Sequence, residues 1–192
     1  MTQLSHWSRN LLGITAAMLL LLPVPGHAQE DFATAARQHQ EGRWSGAYGR
    51  FIVAGRRGDA AAADAALFMH RFGSLLYRTP WDMSADEAED LKSGNVLASD
   101  HSLSLPSMLD AATSYRKGDL GAAFVKFAAF ANKGNPDAAR VALFMHLYGP
   151  VLYGRYWAST AEEIRRWREL VAVVPAAAAA RAGGSVTAKR SN

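Results

Sequence analysis

AALFMHRFG, residues 65–73, returns later in the chain as VALFMHLYG, residues 141–149, with ALFMH unchanged and an offset of 76 residues. Carried outward, that offset aligns Phe32–Leu91 with Met108–Trp167 without a gap and gives 19 identities in 60 pairs. Unrelated segments would share only a few. The chain therefore contains an internal duplication, and repeats of this size point to stacked helical units.

Local signals in both copies are helical. Leu120, Ala123, Phe124, Phe127 and Phe130 recur at three- and four-residue steps, as do Trp44, Ala47, Tyr48 and Phe51. Gly58 and Gly134 suit the left-handed residue that closes a helix. Asp59 and Asn135 then read as N-caps, with Pro136 at a first helical position where no N–H is needed. Ser84-Ala-Asp-Glu87 and Thr160-Ala-Glu-Glu163 read as capping boxes, each hydroxyl and carboxylate serving the other's free backbone N–H.

These signals predict helices near 31–41, 44–57, 59–72 and 84–92, then 106–117, 119–133, 135–148 and 159–173. The expected fold is an all-α helical-repeat solenoid of two units, about 31–92 and 107–173, joined by the Gly-, Asn-, Ser- and Pro-containing linker 93–106. Half the offset, 38 residues, falls in the range of helix-pair repeats. ALFMH is apolar almost all round, so Leu67, Phe68 and Met69, with Leu143, Phe144 and Met145, are expected between the copies.

The ends carry different information. Arg9 precedes an apolar run of 12 residues, Leu11–Leu22, then Pro23 and a small-residue site at Gly26-His27-Ala28. This is the layout of a secretory signal, with residues 1–28 removed by cleavage after Ala28 and the product periplasmic or secreted. The run is too short to span a bilayer, and the absence of cysteine excludes both a lipobox and disulfides. A helical domain over 29–174 would follow, then an Ala-rich basic tail over 175–192, expected to be disordered. Of the 21 basic residues, Arg9 lies in the leader and Arg181, Lys189 and Arg190 in the tail. The remaining 17 balance 17 acids, so the pI of about 9.6 marks the ends and no nucleic-acid footprint is expected.

The stretch GDLGAAFVKFAAFANKGNPDAARVALFMHLYG, followed by STAEEIRRW, resembles the Sel1-like repeat family, kin of the tetratricopeptide repeats. Gly118, Ala123, Phe127, Ala131, Gly134-Asn135, Ala138, Gly149, Ala161 and Trp167 sit at the matching places. The first copy matches more loosely through Gly42, Ala47, Phe51, Gly58-Asp59, Ala62 and Gly73, and LLYRTPWDM and VLYGRYWAS replace the family's Gly-x-Gly-Val loop. The resemblance implies a protein-binding scaffold, frequent in bacterial envelopes, with an unidentified protein partner and no chemistry of its own.

Reactive residues read mostly as structure. His70 and His146 lack a ligand four residues on, Ser74 and Pro150 standing there, so packing histidines are expected rather than metal ligands. Ser114-Tyr-Arg-Lys117 matches S-x-x-K without the accompanying motifs. Asp100-His101-Ser102 places triad letters side by side, where they rarely point together. Asp86-Glu87 and Glu162-Glu163 fit first-turn carboxylates at a helix dipole. No P-loop, dinucleotide fingerprint or zinc spacing occurs, and no catalytic residue, metal or cofactor is expected.

The candidates for partner contact are the loop aromatics and arginines Tyr77, Arg78 and Trp81, answered by Tyr153, Arg155 and Trp157. Two readings stand side by side: an interface on one solenoid face, or aromatic plugs at the edge of the core. A carbohydrate or peptidoglycan binder using the tryptophans as platforms is the rival from another class, and a hydrolase the third.

Overall fold

The computed structural model describes residues 26–92 and 105–172. Residues 1–25 of the expected leader, most of the linker, Asp100-His101-Ser102 and the tail lie outside them. The described residues are all-helical, with no strand among them. The helices are α1 (Gly26–Gln40), α2 (Trp44–Arg56), α3 (Ala60–Phe72), α4 (Ala85–Lys92), α5 (Leu105–Arg116), α6 (Leu120–Asn132), α7 (Pro136–Tyr148) and α8 (161–172). α1 starts at Gly26, some five residues before its apolar pattern becomes regular.

The expected punctuation marks are in place. Asp59 accepts from the Ala62 N–H and Asn135 from that of Ala138. Asp119 does the same for Ala122. Gly58 and Gly134 take φ of +96° and +90° as the residues that close α2 and α6. Ser84 and Glu87 bond reciprocally at 3.0 and 3.2 Å, as Thr160 and Glu163 do at 2.9 and 3.2 Å.

α3 and α7 each run on into a π-helical turn, Gly73–Tyr77 and Gly149–Tyr153. A Cβ on Gly73 would lie 2.5 Å from the Thr79 carbonyl, and one on Gly149 2.5 Å from that of Arg155. Only glycine lets the following loop fold back this closely. Each π-turn ends in a left-handed residue, Gly154 in one copy but Arg78, at φ +58°, in the other. Arg78→Gly should therefore raise stability by about 0.5–1 kcal/mol, read as a higher urea midpoint. Loss of stability would show that the Arg78 side chain contributes more than its backbone costs.

The way the copies meet differs from a serial stack. α1 packs on the π-turn of the second copy, and α5 packs on the π-turn of the first. Gln40 Nε2 donates to the Val151 carbonyl at 2.6 Å, and Arg116 Nη1 donates to the Leu75 carbonyl at 2.6 Å. Adding 76 to one bond's donor and subtracting it from its acceptor yields the other. Phe68 and Phe144, equivalent residues, stack face to face with centroids 3.6 Å apart and planes 4° from parallel.

Contacts of this kind define a local two-fold axis, an isologous interface folded into one chain. In a head-to-tail solenoid α1 would not touch the π-turn of the second copy. Both ALFMH segments are buried, apart from their histidines: Leu67, Phe68 and Met69 are at most 7% exposed, and Leu143, Phe144 and Met145 at most 1%.

Candidate functional site

Where the helix ends and π-turns of the two copies converge, they leave a cleft of about 320 Å³. Its twelve lining residues are six pairs at the 76-residue offset: His39 with Tyr115, Gln40 with Arg116, Gly42 with Gly118, Trp44 with Leu120, Leu76 with Leu152, and Tyr77 with Tyr153. The cleft is thus centred on the local two-fold. Its volume lies at the small end of the roughly 300–1,000 Å³ typical of ligand pockets.

His39, Tyr77, Tyr115 and Tyr153, at successive 38-residue steps, form its floor. The hydrogen bonds have one consistent direction. A carbonyl only accepts, so His39 Nδ1–H donates to Leu152 O at 3.2 Å, and Nε2 accepts from the Tyr77 hydroxyl at 2.9 Å. Tyr77 accepts from Tyr115 at 2.8 Å, which leaves Tyr115 to accept from Tyr153 at 3.0 Å. The rings pack edge-on throughout: His39 on Tyr77 and Tyr153, and Tyr115 on both tyrosines. Tyr153 heads the chain.

Burial sets the electrostatics. Desolvation pulls His39 down from 6.5 to about 4, against the raising effect of its bond to the Leu152 carbonyl. It also pushes Tyr77 and Tyr115 well above the ordinary phenol value and Tyr153 up to about 12. The floor is therefore neutral at pH 7. Both nitrogens of His39 are engaged inside the protein, so it orients Tyr77 and is not poised as a base toward the cleft.

A stability trend follows. The folded pKa is depressed, so the unfolded chain binds the proton more readily. Stability from neutral His39 is fully present above about pH 6.5 and is lost as pH falls toward 4. The fall from 6.5 to about 4 corresponds to about 3 kcal/mol. Urea midpoints at pH 7 and pH 4 should diverge by less in His39→Gln than in the parent. Parallel pH profiles would show that His39 does not carry this dependence.

The mouth carries the side chains that break the symmetry. Trp44, 39% exposed, stands opposite Leu120, and Gln40 opposite Arg116. Arg116 is half-buried, held to Leu75 O by Nη1 and to Thr113 Oγ1 by Nη2 at 2.8 Å.

The residues expected at a partner surface divide. Tyr77 and Tyr153 are in the cleft floor. Trp81 is 9% exposed and stacks on Tyr48 at 5.4 Å, and half-buried Trp157 stacks on Phe124 at 5.5 Å, so both act as plugs of the core edge. Arg78 and Arg155 are exposed, each at the turn after its π-helix.

His70 and His146 each donate Nδ1–H to the carbonyl of their own copy's tryptophan, Trp81 at 2.7 Å and Trp157 at 3.0 Å. They fix the loops. Ser114 accepts from Lys126 rather than Lys117, and the Lys126 ammonium is paired with Asp110 at 2.8 Å. Among the described residues no cluster of His, Cys, Asp or Glu is arranged to hold a metal, and no helix is long and apolar enough to cross a membrane.

His39, Tyr115, Gln40, Arg116 and Trp44 are site residues that no motif in the sequence marks. For His39 and Tyr115 the signal is the 38-residue series of ring-bearing residues 39, 77, 115 and 153, which appears only when the half-offset is laid on side-chain type. Comparison with family models, curated proteins and solved structures finds no match.

Proposed function

We propose that the chain is an exported, non-catalytic interaction module of Sel1/TPR-like type that docks a partner protein over the two-fold cleft. The supporting observation is the cleft mouth. Trp44 and Val151, 39% and 42% exposed, flank an aromatic-floored recess whose polar groups are held in fixed positions by bonds between the two copies. Rigid aromatic anchors beside a preformed recess are the usual core of an interface. The export leader, the resemblance and the neutral body make an envelope protein the partner class.

Carbohydrate binding on the loop tryptophans has less in its favour, because Trp81 and Trp157 are spent on packing against Tyr48 and Phe124. The test is affinity purification from native envelope with the parent chain, Val151→Asp, and Val53→Asp as an exposed control. A protein recovered with the parent and with Val53→Asp but lost with Val151→Asp supports the reading. Equal recovery with all three places the interface elsewhere.

A further inference from the structure

We propose that the cleft recognises a planar aromatic group carrying a carboxylate, with the ring against Trp44 and the anion on Arg116. This rests on the cleft being the recognition site and adds the chemistry of what enters it. Arg116 is the one charged side chain among the twelve lining residues, which include no carboxylate. The floor is neutral, so nothing in the lining opposes an anion.

Arg116 also has donors to spare. A guanidinium carries five N–H groups, and two of its nitrogens hold Leu75 O and Thr113 Oγ1. Its Nε–H is buried and meets no acceptor among the described residues. The N–H groups of Nη1 and Nη2 that the bonds to Leu75 and Thr113 do not use are the donors an anion in the cleft would meet. Guanidinium is also the side chain best matched to a carboxylate, by planar, charge-assisted hydrogen bonding.

The broken symmetry sets direction. A ligand lying across a true two-fold would bind equally well either way round. Here one wall offers Gln40 and Trp44 and the other Arg116 and Leu120, so an elongated ligand finds a flat aromatic surface on one side and a cation on the other. Trp44 already packs edge-on to Tyr77 at 5.4 Å, which fixes its ring at the mouth.

The duplication itself supplies the test variants. Arg116→Gln gives the second wall the residue that the first wall has at Gln40, where a glutamine already bonds the matching carbonyl. Trp44→Leu copies Leu120 in the same way. Calorimetric titration of the full chain with indole-3-propionate and with its neutral amide should show the acid binding at least tenfold tighter. Arg116→Gln should remove that preference, bringing acid and amide to equal affinity, and Trp44→Leu should weaken both ligands.

Internal Trp-Asp and Trp-Asn peptides form the second arm. Acid-selective binding of the free compound identifies a small-molecule ligand, and acid-selective binding of the peptide alone identifies a partner's segment. Circular dichroism confirms that the variants are folded. Equal binding of acid and amide, a preference that survives Arg116→Gln, or no binding by either arm at millimolar concentration overturns the proposal. Partner loss with Val151→Asp is read separately, so the docking surface and the ligand chemistry fail independently.

Discussion

Phe144→Ala should lower the stability of the chain by about 3–5 kcal/mol, the cost of emptying a fully buried aromatic site. Phe144 is 0% exposed and lies flat on Phe68, which in turn contacts Phe72, while Phe144 also meets Tyr148. Truncation removes one half of a stack that joins the copies and leaves a cavity walled by both. Phe68→Ala should behave alike, because the two positions are equivalent. The double variant should cost clearly less than the sum, since the second truncation enlarges a cavity already opened. Urea denaturation of the four proteins gives the coupling. Strict additivity would mean that the rings do not share a packing site.

Asp137→Ala should cost a comparable amount, about 3–5 kcal/mol, for an electrostatic reason. The Asp137 carboxylate is 4% exposed and holds Arg71 at 2.8 Å and Arg140 at 3.3 Å, the latter with a side chain 1% exposed. Desolvation, and then the neighbouring Arg71, already pull Arg140 down to about 10. Without Asp137 two guanidinium groups face each other in the interior with one anion fewer. By contrast, Glu162→Ala on the exposed face of α8 removes ion pairs to Arg165 and Arg166 that water screens, and little change is expected. Thermal melts at low and high salt separate the two: the Asp137→Ala loss should persist in salt. A small loss would mean that the surroundings of Arg140 compensate for its missing partner.

Helices, caps and core were legible because each has a local cause. Gly58-Asp59, Gly134-Asn135-Pro136 and the two capping boxes act within four residues, and the apolar stripes repeat at the helical period. The duplication fixed which residues occupy equivalent slots, but an offset is silent on whether two copies are related by translation or rotation. That distinction depends on contacts such as Gln40 with Val151, 111 residues apart. The site was hidden for the same reason. Trp81 and Trp157 look like a binding surface by residue type, yet each has an aromatic neighbour to cover it, Tyr48 or Phe124. Trp44 belongs to the apolar stripe of α2 by spacing, but the stripe's first turn projects beyond the core into the cleft mouth. The pairing of Asp137 with Arg71 spans 66 residues and likewise has no local mark.

The central claim is that the copies face one another across a two-fold. The chain has no cysteine, so a pair can be placed without background. Gln40→Cys with Val151→Cys joins the first helix of one copy to the π-turn of the other at exposed positions. Treating the folded monomer with a short bifunctional thiol reagent should close a 111-residue loop, seen as a faster-migrating band in denaturing electrophoresis. A serial stack separates those positions, and failure to cross-link in the folded protein would contradict the account.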